Sequence, residues 1–309
     1  MGVKDATPSA QKQRQVLSML LVHDSSVVPV SALIEELWSE TPPKSSLTVI
    51  QTYALGIRKR IANNFDLTQE EVSAKLLQTR SKGYSFDTSS CEVDLYSYRS
   101  LVESGTKAVV DGNDREAARL LRAADALWTG PALVDVERGL PLEVEATRLD
   151  QSRLAAIQLR IEAELRLGRN RDVCTDLAGL VLRYQFHEQL HAYYMFSLCL
   201  AGWRSRALEV FQQLRNSMIE ELGVEPCAQV QKLHRHILAA SEDSVYADLS
   251  REQASYLMGL YRPGNPYHRA RVIQDPRLGQ AEGGLVRQVG HGMLRTARRN
   301  EEQVCRAAG

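Results

Sequence analysis

His187-Glu188-Gln189-Leu190-His191 is a literal match to a hydrolytic zinc motif. On a helix the two imidazoles would stand one turn apart and could share a metal, with Glu188 as general base. A hydrolytic site needs a third ligand. The extended motif would put Gly at 194 and His at 197, but these positions hold Tyr194 and Ser197. The downstream acids Glu209, Glu220 and Glu221 fall on polar helix faces, whereas Leu190, Tyr194 and Leu198 give 187–201 the apolar stripe of a scaffold helix. No Gly-rich phosphate loop, G-x-S-x-G or Cys-x-x-Cys occurs in the chain. The expectation is therefore a non-enzyme with no catalytic residues, no metal and no cofactor.

A second constellation is built for polyanions. The stretch SSLTVIQTYALGIRKRI, 45–61, carries Arg58, Lys59 and Arg60 and no acid. Leu47, Ile50, Ala54, Ile57 and Ile61 recur at spacings of 3, 4, 3 and 4, which predicts a buried helix face. Ser45, Thr48, Thr52, Leu55, Gly56 and Lys59 then share the opposite face, with Arg58 and Arg60 on its flanks. A major groove admits one helix, so Thr48, Thr52 and Lys59 are the base-reading candidates. Cations at a helix C-terminus also complement its macrodipole, so charge alone is not diagnostic. What tips the balance is LLQTRSKGYSFDT, a predicted hairpin with a basic tip at Ser81-Lys82-Gly83. Ser45, Arg58, Arg60, Arg80 and Lys82 are the phosphate-contact candidates, a set that would make binding salt-sensitive.

The elements that hold these residues follow from periodicity and breakers. Helices are predicted near 13–23 and 31–38, the latter stopped by Pro42 and Pro43, with Ser45 or Ser46 capping the third. Three helices and a basic hairpin make a winged helix-turn-helix, here 1–90. Residues 91–240 show helical periodicity at about 95–110, 113–128, 141–167, 170–184, 187–201, 204–222 and 226–240. LRLGRNRDVCTDLAGLVL aligns with CLAGWRSRALEVFQQL at an offset of 34, matching Gly168 with Gly202, Leu177 with Phe211 and Leu180 with Leu214. That period marks a tetratricopeptide-like array of helical hairpins. Trp128 is expected to be a packing anchor between hairpins. The fold class is thus mainly α: a winged helix, an all-α repeat domain, and a tail at 241–309. Residues 262–309 hold nine Arg and no Lys against four acids, and this tail is expected to be partly flexible.

Totals bound the rest. With 38 basic and 38 acidic residues the chain has no global bias toward polyanions, so any DNA site must be a local patch. Five scattered cysteines, no apolar span and no apolar signal core suggest a reduced, cytoplasmic protein.

The run LIEELWSETPPKSSLTVIQTYALGIRKRI, QTRSKGYSF, ALWTGPALVDV and LHAYYMFSLCLAGWRSRALEVFQQLRNSMIEELGVEP resembles the Streptomyces antibiotic regulatory proteins over residues 10–240. The resemblance implies a DNA-binding domain of the response-regulator type followed by a bacterial transcriptional activator domain. It further implies activation of an antibiotic or other secondary-metabolite cluster from direct repeats near the −35 element. The implied partners are promoter DNA, RNA polymerase with its sigma factor, and a second copy of the chain on DNA. Without a Walker motif this would be a small member. Two departures stand out: the β-strands that usually precede the first helix are short or missing, and Gly56 occupies an outward position often held by Arg or Gln. The competing reading is a tetratricopeptide-type interaction adaptor without specific DNA binding.

Overall fold

The computed structural model describes residues 5–239 apart from 24 and 90. The basic tail and any helix within it lie outside these residues. The described chain forms two compact units, one from 5–104 and 120–156, the other from 105–119 and 157–239.

The first unit is organised around α1 (Gln11–Val22), in which every residue from Gln15 to Val22 is buried. A helix buried on all sides must be central, and α1 contacts α2 (Val30–Trp38), α3 (Ser46–Phe65) and strand β3 (Gly83–Phe86). No strand precedes α1 among the described residues. Pro29 closes β1 (Val28–Pro29) and precedes α2, whose Glu36 is buried along with Leu33 and Leu37. α3 ends at Asp66 in the left-handed region (φ 56°), its N–H bonded to the Ala62 carbonyl. A capping box of Thr68 and Glu71 then starts the short α4 (Gln69–Glu71), which passes into a single π-helical turn, Val72–Leu76.

β2 (Leu77–Arg80) and β3 form the predicted hairpin, with Arg80 opposite Gly83 and Ser81-Lys82 as a two-residue loop. Gly83 therefore lies in the strand, one residue past the tip. β3 is the central strand of the order β1-β3-β2, pairing Val28 with Tyr84 and Pro29 with Gly83. The glycine is required by close approach: a Cβ there would lie 2.0 Å from the Val28 carbonyl oxygen. The same apolar core takes in Ala132, Leu133, Val136, Leu142 and Ala146, from the loop after α6 (Asp114–Ala126) and the start of α7 (Leu140–Arg166). Trp128 packs on this core, edge-on to Tyr98 of α5 (Asp94–Val110) at 5.3 Å and beneath the Arg153 guanidinium at 4.8 Å.

The second unit carries the repeat. α8 (Asn170–Arg183), α9 (Glu188–Leu200), α10 (Arg204–Leu222) and α11 (Ala228–Ala239) pack around α9, whose residues Leu190–Cys199 are all buried. Gly168 and Gly202 both take the left-handed conformation, φ 74° and 83°. Their turns are bonded identically at the 34-residue offset: Arg169 N–H to Glu164 and Trp203 N–H to Leu198, then Val173 N–H to Arg169 and Ala207 N–H to Trp203. Leu177 and Phe211 occupy the equivalent buried positions.

Candidate nucleic-acid interface

Helix α3 presents two faces of opposite character. Ile50, Ala54, Ile57 and Ile61 are buried, and each isoleucine removed from water is worth about 2 kcal/mol. Leu47, expected to join them, is instead 51% exposed. It belongs to the first turn, which extends beyond the core that the later turns cover. The opposite strip is exposed along Thr48, Gln51, Thr52, Leu55, Lys59 and Asn63. Gln51 and Asn63, outside the expected set, share this exposed strip at i+3 from Thr48 and i+4 from Lys59, a spacing that the sequence already displays. The Thr52 hydroxyl donates to the Thr48 carbonyl at 2.9 Å, which leaves its acceptor lone pairs and methyl facing outward.

Gly56 does not belong to the outward strip. A Cβ at this position would meet the Gln13 side-chain nitrogen at 2.8 Å, so the glycine admits α1 rather than solvent.

The basic residues separate into distinct environments. Ser45 precedes α3 without a side-chain capping bond and is exposed. Lys59, Arg80 and Lys82 are exposed; Arg80 donates to Ser85 Oγ at 3.3 Å and also bonds the Gln78 side-chain oxygen. Arg60 is half-buried, with Nε lacking a hydrogen-bond partner. A hydrogen bond from Thr7, helped by the charges of Arg60 and Arg14, holds the Asp5 carboxyl below the usual range. Arg58, expected at a phosphate wall, directs Nε and Nη2 to the Leu77 carbonyl at 2.9 and 2.8 Å, and Nη2 also reaches Thr79 Oγ1 at 2.8 Å. Burial lowers its pKa, yet a guanidinium remains charged at any physiological pH.

The His187–His191 run has a structural use. His187 is the N-cap of α9, its Nδ1 accepting the Leu190 N–H at 3.3 Å, and His191 Nδ1 bonds the His187 carbonyl at 3.2 Å. Glu188 accepts the Cys227 N–H next to α11. Burial lowers both imidazole pKa values, favouring the neutral rings these bonds use. Among the described residues no group of three His, Cys, Asp or Glu could hold a metal ion.

Comparison with known proteins agrees with this architecture. Residues 93–238 match the bacterial transcriptional activator domain. The chain is 41% identical over 235 residues to the regulatory protein DnrI of Streptomyces peucetius, covering 76% of this chain and 86% of DnrI. It is 30% identical over 259 residues to the regulatory protein AfsR of Streptomyces coelicolor, 84% of this chain but only 25% of that larger protein. Among solved structures, Mycobacterium tuberculosis EmbR in complex with a low-affinity phosphopeptide superposes with a TM-score of 0.67 at 26% identity, over 81% of this chain and 64% of EmbR. These relatives are regulatory proteins rather than enzymes. A winged helix with an exposed polar strip on α3, a 34-residue helical repeat and 41% identity across most of DnrI make this chain a member of the Streptomyces antibiotic regulatory protein family of transcriptional regulators.

Proposed function

We propose that the protein activates a secondary-metabolite cluster by binding direct repeats near the −35 element and recruiting RNA polymerase through its sigma factor, as a homodimer on DNA. In this reading 1–90 reads DNA, 91–240 is the activator domain, and the protein works in the cytoplasm on the nucleoid. One observation carries it: α3 exposes Thr48, Gln51, Thr52, Leu55 and Lys59 in a single strip while the adjacent loop exposes Lys82. Thr48, Gln51, Thr52 and Lys59 supply hydrogen-bonding groups for base edges, and Leu55 supplies an apolar contact for a thymine methyl. Ser45, Arg60, Arg80 and Lys82 are the phosphate contacts, which fix register and contribute most of the salt dependence. Gln51 adds a side chain whose amide can pair with both N6 and N7 of adenine.

Footprinting of the full chain on the promoters beside its own gene, with and without RNA polymerase, tests the reading. Protection of repeated half-sites that extends when polymerase is added is the expected result. Absence of duplex binding even at low salt would favour the interaction-adaptor reading instead.

A further inference from the structure

Arg58, a little past the middle of α3, turns its guanidinium onto a second element. Nε and Nη2 converge on the Leu77 carbonyl, and Nη2 also holds the Thr79 hydroxyl. β2 is an edge strand, so among the described residues its outer side has no neighbouring strand to supply donors. Arg58 supplies them from α3, nineteen residues away in sequence for Leu77 and twenty-one for Thr79. The other side of the hairpin is tied separately, by the Val30 N–H bonded to the Lys82 carbonyl at 3.1 Å. The hairpin that carries Arg80 and Lys82 is thus held on its β3 side by β1 and the start of α2, and on its β2 side by Arg58 of α3.

We propose that Arg58 is a positioning residue that sets the hairpin against α3, so that Lys82 and Arg80 meet phosphate only while the α3–β2 strut is made. This rests on the DNA-binding reading above and goes beyond it, because it removes Arg58 from the contact set and makes the hairpin contacts conditional on it. A planar fork with several donors can span a carbonyl and a hydroxyl together. A lysine ammonium keeps the charge but does not reproduce that geometry.

The test is binding of the full chain to its promoter duplex across a salt series. The proteins are wild type, Arg58→Ala, Arg58→Lys, Thr79→Val, Lys82→Ala and the Arg58→Ala/Lys82→Ala double variant. Lys82→Ala is expected to flatten the slope of log affinity against log salt by about one unit, the loss of one phosphate contact. Arg58→Ala and Arg58→Lys are expected to flatten it at least as much, and Thr79→Val partially. Adding Lys82→Ala to Arg58→Ala should change nothing further. Additive slopes, with Arg58→Lys binding like wild type, would overturn the strut and make Arg58 a direct phosphate contact. An unchanged slope for Lys82→Ala alone would overturn the hairpin's role on DNA and the proposal with it. Arg58→Lys and Thr79→Val keep the test usable if Arg58→Ala fails to fold.

Discussion

Glu36 of α2 caps Leu142 of α7: one carboxylate oxygen accepts the Leu142 N–H at 3.0 Å, while the other accepts the Gly139 N–H at 2.7 Å and the Gln15 amide at 3.3 Å. Glu36 is 2% exposed. An anion at a helix N-terminus is favoured by the free N–H groups and the macrodipole. Burial nevertheless raises the Glu36 pKa, with the donated hydrogen bonds opposing it. The fit is tight, since a Cβ on Gly139 would lie 2.1 Å from the Glu36 backbone oxygen. Glu36→Gln places an NH2 donor against an N–H donor and is expected to lose about 2 kcal/mol. Denaturant unfolding of the full chain measures it, and a wild-type midpoint would sink the role. The same contact predicts that a chain cut at residue 90 loses its cooperative transition, because Glu36 and the core beneath it would lack residues 128–146.

Ser39 follows α2 at φ 51° and ψ −117°, a conformation that strains a residue with a Cβ. Its N–H bonds the Glu35 carbonyl at 2.9 Å, and its side chain is exposed. Ser39→Gly keeps that bond and removes the strain without deleting a buried contact. It should stabilise the protein by about 1 kcal/mol, with a branched residue such as Val acting in the opposite direction. Thermal unfolding of the two variants decides the matter, and equal midpoints would exclude strain at this turn.

Much of this was legible in the sequence where local periodicity controls structure. The helices fall close to their expected bounds because apolar spacing, Pro42-Pro43 and the paired glycines at 168 and 202 act through neighbouring residues. The outward placement of Thr48, Thr52, Leu55 and Lys59 follows from the same wheel. What the wheel does not contain is the rest of the molecule. It groups Leu47 with the isoleucines because it holds no information on where the core ends, and it turns Gly56 outward because α1 is invisible to it. Charge alone points Arg58 at phosphate, whereas its partners are two atoms of a strand that only tertiary packing brings close. Glu36 carries no local sign of a partner a hundred residues away. Its pairing depends on the loop after α6 returning to α2.

Two glycines in the first unit should respond oppositely to alanine. At Gly56 the nearest atom to a new Cβ is the end of the Gln13 side chain at 2.8 Å, which can swing aside. Alanine also gains about 1 kcal/mol of helix propensity there, so Gly56→Ala is expected to be neutral or stabilising. At Gly83 the obstacle is the Val28 backbone at 2.0 Å, which cannot yield without breaking the β1–β3 pairing. Gly83→Ala is expected to cost about 3 kcal/mol or more. Urea midpoints give the comparison, and a larger loss at 56 than at 83 would contradict the packing described here.

Glu162 gives the second unit a pH dependence of definite sign. It is buried, accepts the Tyr193 hydroxyl on Oε1, and its Oε2 lacks a hydrogen-bond partner, with Arg166 Nη1 4.0 Å away. Tyr193 is held in turn by the Gln189 amide at 2.6 Å. Burial outweighs the Tyr193 bond and the Arg166 charge and raises the Glu162 pKa to about 6. The folded carboxyl therefore holds its proton to higher pH than the unfolded one. Its contribution is full below the ordinary carboxylate range and is lost as pH rises through about 6, for a total of about 2 kcal/mol. Glu162→Gln keeps an acceptor for Tyr193 and cannot ionise. Relative to this variant, wild type should lose about 2 kcal/mol between pH 4 and pH 7, and parallel stability profiles would show that Glu162 titrates normally.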